Sequence, residues 1–164
     1  MARQAEKQAC EGSDYVGITV RVRYAETDQM GIVHHANYLI WFEAARSAFC
    51  RERGIDYAQM ERDGMILPLM EAHCRYLRPA HYEEEIVVRS RVVELRRSLL
   101  RIEYAVERGA ELLATGETLQ MLLDRETRKP KRFPQELAAR FLENRENNLS
   151  TDYHRLKATT GRNT

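Results

Sequence analysis

The feature that most constrains this chain is the run Tyr38 to Phe49 (YLIWFEAARSAF), in which Glu43 and Arg46 are the only charged side chains. Leu39, Ile40, Trp41, Phe42, Ala44, Ala45 and Ala48 leave little helical face for water. A helix that is apolar nearly all round is buried on most sides. Gly54 follows as a left-handed stop. The rest of the chain therefore has to wrap this helix, and any apolar strip it cannot cover calls for a second subunit.

The remaining periodicity is that of strands. Val16, Ile18, Val20, Val22 and Tyr24 alternate with Thr19, Arg21 and Arg23, which predicts a first strand over Tyr15–Tyr24. After the helix, Ile55–Gly64 has room for a helical turn or two. A second strand is expected from Ile66 to Tyr76, with Pro68 marking an edge or an irregular entry. Glu85–Leu95 is rich in β-branched residues and reads as a central strand covered on two sides. Leu100, Ile102, Tyr104 and Val106 alternate with charged residues. A hairpin turn at Arg108-Gly109-Ala110 leads to a last strand over Leu112–Leu123. Asp124–Lys131 is a charged connection, and Pro134 opens a short helix. One helix laid on a run of antiparallel strands is an α+β arrangement. Residues 15–144 are read as one domain, with tails at 1–14 and 145–164.

Charge and cysteine usage exclude some functions. Lys plus Arg is 26 against 25 for Asp plus Glu, a net charge of +1, so no global field favours nucleic acid or an anionic membrane. Cys10, Cys50 and Cys74 are widely spaced without a CxxC, which argues against a disulfide framework or structural zinc and points to a cytoplasmic compartment. No segment approaches ~18 consecutive apolar residues.

Chemistry concentrates in Glu26–Tyr38. Asp28 ends the first strand region, Gly31 permits a tight backbone path, and a helix starts close behind. Helix N-terminal N–H groups stabilise developing negative charge, so an acid beside them makes a hydrolase constellation. Asp28 can equally cap the turn. The adjacent His34 and His35 point in different directions and no third ligand is spaced to join them, so no metal site is expected.

Arg21-Val22, Thr27-Asp28, Gly31-Ile32-Val33-His34 and Tyr38, followed by Trp41-Phe42-Glu43 and Arg46, resemble the signature of the hot-dog-fold acyl-CoA thioesterases. The likeness is to the 4-hydroxybenzoyl-CoA thioesterase-like branch, which includes the Tol-Pal-associated enzymes. The resemblance implies a long central helix wrapped by a five-stranded antiparallel sheet, in a homodimer or homotetramer. It implies hydrolysis of an acyl-CoA, with Asp28 as nucleophile or general base and the helix start at His35 polarising the carbonyl. The helix terminus favours negative charge on Asp28, which leans towards direct attack. Gly31, Tyr38, Trp41 and Glu43 become candidate substrate contacts, although Glu43 also suits a structural pair with Arg46. Arg89 and Arg91 become candidates for the CoA phosphates. No metal or redox cofactor is implied. A hot-dog dehydratase and a non-catalytic acyl-CoA-binding module remain the alternatives.

Overall fold

In the computed structural model, which describes residues 14–143, the apolar run lies inside helix α1 (Ala36–Glu52). Its buried residues, Tyr38, Trp41, Phe42, Ala45, Ala48, Phe49 and Cys50, recur at helical spacing and mark the side facing a sheet. Leu39 and Ile40 point away and stay 42% and 55% exposed. Within one chain the helix is thus covered on one side, and its second apolar strip is left outward.

The sheet comprises β1 (Val16–Arg21), β3 (Leu69–Tyr76), β4 (Glu85–Arg96), β5 (Leu99–Arg108) and β6 (Glu111–Met121), while β2 (Met65–Ile66) and β7 (Leu123–Asp124) pair separately. The strand order is β1-β4-β5-β6-β3, antiparallel throughout. Register shifts at Leu69/Glu71, Val92/Glu94 and Val106/Glu107 mark bulges. Bulges bend strands and deepen their twist, which helps the sheet curl around α1. Two short helices, α2 (Tyr57–Arg62) and α3 (Gln135–Leu142), complete the unit Tyr15–Leu142. The tails read at 1–14 and 145–164 lie almost wholly outside the described residues.

Three expectations are corrected. The first strand ends at Arg21, because Tyr24–Glu26 form a 3-10 turn. The expected second strand divides into β2 and β3 at Pro68, which has no N–H to donate to a ladder and instead accepts from Met121 N–H at 3.2 Å. β4 is covered on one face only. Ile86, Val88 and Ser90 are buried, whereas Arg89 and Arg91 on the other face pair with Glu107 and Glu103, each at 2.8 Å. Its β-branched residues reflect strand preference, not burial on both sides.

Helix and sheet meet closely at Phe42. Its ring stacks on Tyr104 of β5 at 4.4 Å between centroids and lies against Gly116 of β6, the residue paired with Tyr104. A methyl group on Gly116 would fall within the envelope of the Phe42 ring. Ser90 Oγ donates towards the Ala45 carbonyl at 3.3 Å, tying β4 to the same helix. Arg46 turns inward to Gln120, whose amide oxygen accepts from Nε and Nη1 at 3.2 and 2.9 Å once the amide is assigned the orientation that satisfies both groups, and does not take up a pair with Glu43. Glu43 sits on the exposed side of α1.

The segment between β1 and α1 is anchored by Glu26, which is 3% exposed. Its carboxylate accepts from Arg23 N–H at 2.8 Å, Arg23 Nη2 at 3.0 Å and Trp41 Nε1 at 3.1 Å. Its backbone carbonyl accepts from His34 N–H and Asn37 Nδ2, both at 2.8 Å. Burial by itself would raise the Glu26 pKa; the Arg23 guanidinium, the Arg23 N–H and the Trp41 indole outweigh it and hold the carboxyl below its ordinary range.

Two stability predictions follow from these contacts. Gly116→Ala should lower the unfolding free energy by about 1–3 kcal/mol in urea titrations, because the Phe42 ring must move. Glu26→Gln should cost about 1.5–3 kcal/mol at pH 7. Because the folded pKa lies below the unfolded one, the ionised form stabilises at neutral pH and its contribution is lost as pH falls through the folded value. The difference between wild type and Glu26→Gln should therefore narrow below about pH 4, and urea titrations that show a constant gap from pH 7 to pH 3 would contradict it.

Candidate active site

Between the Glu26 anchor and α1 the chain makes a closed turn. Thr27 bridges Val33, Asp28 N–H donates to the Ile32 carbonyl at 2.9 Å, and Gly31 N–H donates to the Asp28 carbonyl at 2.9 Å. Gly31 has φ +76°, and no atom lies within 4 Å of where its Cβ would be, so glycine is needed for backbone conformation and not for space. Asp28 Oδ1 accepts from Met30 N–H at 2.8 Å. One carboxylate oxygen thus does the turn-capping the sequence allowed. Asp28 Oδ2 takes no hydrogen-bond donor among the described residues.

The turn forms one wall of a cavity of about 330 Å³. Asp28, His35 and Arg78 are its charged or polar lining; Met30, Ile32, Val33, Tyr38, Tyr76, Leu77 and Pro79 supply apolar wall. Arg78 is also held by Glu111 at 3.0 Å. The start of α1 faces this space. There Asn37 N–H donates to the His34 carbonyl at 3.0 Å, Ala36 N–H to His34 Nδ1 at 3.2 Å, and Tyr38 N–H to the His35 carbonyl at 3.3 Å. His34 N–H is taken by Glu26. The His35 N–H has no acceptor among the described residues. Asp28, with one oxygen free of donors, and His35, with its N–H free of acceptors among the described residues, therefore line one apolar-walled cavity at the positive end of a helix. Such a pair suits attack on a carbonyl whose oxygen becomes negative.

Of the residues singled out from sequence, Asp28, His35 and Tyr38 come together here, and Gly31 shapes the turn. Trp41 instead faces Glu26 and is buried. Glu43 lies on the outward side of α1 and does not line the cavity. Arg89 and Arg91 stand on the far face of the sheet, engaged by carboxylates of β5, and Arg91 also lies over the Tyr15 ring at 4.8 Å. The His34 and His35 rings stack at 4.1 Å between centroids, so these neighbours do not diverge as expected from the sequence. Sequence reading missed Tyr76 and Arg78, which enter the cavity from the end of β3 and the turn after it. Tyr76 looked like one more apolar residue in an alternating strand, and Arg78 like part of a Pro turn. No local signal separates either from that role.

Residues 22–141 match the family profile described as the thioesterase-like superfamily. The chain is similar to the putative acyl-CoA thioesterase YneP of Bacillus subtilis (strain 168), at 37% identity over 115 residues, covering 70% of this chain and 83% of the relative. It is similar to the acyl-CoA thioester hydrolase YbgC of Escherichia coli O6:H1 at 26% identity over 123 residues, covering 74% and 92%. Among solved structures, the hypothetical protein TT1821 from Thermus thermophilus aligns with a TM-score of 0.72 at 37% identity, covering 76% of this chain and 95% of that one. The matched span includes the Asp28 turn, α1 and strands β3 to β6, and the chain accordingly belongs to the thioesterase-like superfamily and has its hot-dog fold.

Proposed function

We propose that this thioester hydrolase is an acyl-CoA thioesterase that converts an acyl-CoA and water to a free carboxylic acid and CoA. The observation that carries the reading is the pairing of Asp28 with the open His35 N–H at one cavity. The acyl group enters between the apolar walls, and its thioester oxygen accepts from the His35 N–H. Asp28 Oδ2 attacks the carbonyl carbon. The tetrahedral oxyanion collapses, the C–S bond breaks, and the CoA thiolate leaves and is protonated from water. Water then hydrolyses the acyl-aspartyl anhydride, releasing the acid and restoring the carboxylate. In the general-base variant, Asp28 takes a proton from water, and the hydroxide formed attacks the same carbon. Both routes need the same carboxylate and the same donor.

Arg89 and Arg91 remain proposed phosphate contacts of CoA, but they are engaged by Glu107 and Glu103, so a phosphate there has to displace a carboxylate. We place the protein in the cytoplasm, where free thiols such as Cys50 and Cys74 persist. Among the described residues, no helix is long and apolar enough to cross a membrane.

The working assembly we propose is a homodimer, with a homotetramer built from two of them. β3 is an edge strand, and Leu69, Met70 and Tyr76 along it are exposed, as are Leu39 and Ile40 on α1. Unpaired edges and contiguous apolar strips are what a second copy covers.

Two measurements test these readings. Thiol release from a panel of aliphatic and aromatic acyl-CoAs should show turnover in wild type and about a 10²–10⁴-fold loss in folded Asp28→Asn. Equal rates would remove Asp28 from the mechanism. In sedimentation velocity the wild type should run as a dimer or larger and Ile40→Lys should shift it towards monomer. A wild type that is monomeric at tens of micromolar contradicts the assembly.

A further inference from the structure

The proposed chemistry needs the His35 N–H aimed at one point, yet His35 lies at a helix start, where backbone frays. Its dihedral angles, φ −53° and ψ −32°, are set by the two peptide planes flanking it. The plane before it is held through the His34 carbonyl, which accepts from Asn37 N–H at 3.0 Å and Asn37 Nδ2 at 3.2 Å. The plane after it is held at both ends. The His35 carbonyl accepts from Tyr76 Oη at 3.1 Å, and the Ala36 N–H donates to His34 Nδ1 at 3.2 Å.

We propose that Tyr76 and His34 are positioning residues that clamp the His35–Ala36 peptide from opposite ends, so that the His35 N–H is the single helix-terminal donor presented to the substrate carbonyl. This rests on the thioesterase reading and adds two residues that the Asp28 and His35 assignment leaves out. Tyr76 reaches the helix from β3, across the cavity, and its ring meets Tyr38 edge-on at 5.0 Å between centroids. The hydroxyl is thereby directed by a strand and by an aromatic contact, not by the loop it steadies. Partial burial, followed by the neighbouring Cys74, pushes the Tyr76 pKa up to about 12, so the phenol keeps the proton it donates. His34 accepts at Nδ1 and therefore carries its proton on Nε2. By occupying the Ala36 N–H it removes the neighbouring donor that would compete for the carbonyl oxygen. A wandering donor lowers the rate without weakening ground-state binding, since misplacement acts on the transition state.

The test compares Tyr76→Phe, which keeps the ring, with His34→Leu and His34→Asn. An Asn side-chain oxygen can accept from the N–H two residues on, as His34 does. With the best acyl-CoA, Tyr76→Phe and His34→Leu should each lose about 10- to 100-fold in kcat, with KM within about threefold and melting temperature close to wild type. His34→Asn should recover most of that loss. An unchanged kcat in both, or an effect confined to KM, overturns the clamp. Amide exchange of Ala36 by ¹⁵N NMR reads the same contact without turnover. Protection in wild type that is lost in His34→Leu supports the clamp, and equally fast exchange in both overturns it. If wild type cleaves no thioester, the thioesterase reading fails, while the exchange result still decides the clamp.

Discussion

The site depends on a single buried carboxylate. Glu26 collects Arg23 and Trp41 on its side chain and His34 and Asn37 on its backbone oxygen, so one residue joins the end of β1, the active turn and the first turns of α1. A charge taken out of water is costly unless it is paired and fully hydrogen-bonded. Here a guanidinium, an indole and a backbone N–H meet that requirement. The geometry of the turn is therefore tied to a requirement of the core, and the loop that carries Asp28 is not free to choose its own conformation.

The same helix meets two other demands. Phe42 seats its inner face on Tyr104 and Gly116, where absence of a side chain lets β6 approach closely. Within one chain the five-stranded sheet covers the inner strip and leaves the outer one, with Leu39 and Ile40, exposed. Arg46 shows how tightly the inner side is settled. It is drawn to Gln120 under the sheet and leaves Glu43 in solvent.

Opposite the helix, the sheet is covered by charge pairs between β4, β5 and β6, Arg89 with Glu107, Arg91 with Glu103 and Arg101 with Glu94 and Glu117. Exposed pairs of this kind add little stability individually. They keep that face wet, whereas Leu69, Met70 and Tyr76 on β3 and Leu39 and Ile40 on α1 leave apolar side chains exposed.

Much of this was legible in the chain itself. The all-round apolar helix, the alternating strands and the hairpin at Gly109 are local patterns, so the helix and the strands of the sheet could be read in order. The Asp28–Gly31 turn and its nearness to the helix start were legible too, because they are neighbours in sequence. What escaped was whatever depends on contacts between distant segments. The outer face of β4 proved charged, and Trp41 faced Glu26 and not the cavity. Tyr76 reached His35 across 41 positions. Sequence determined which residues could form the turn, the helix and the strands, since those choices rest on backbone preference and periodicity. Tertiary structure alone decided which N–H is left open and which side chain steadies it, because a hydrogen bond between β3 and α1 exists only once the sheet has curled and brought the two together.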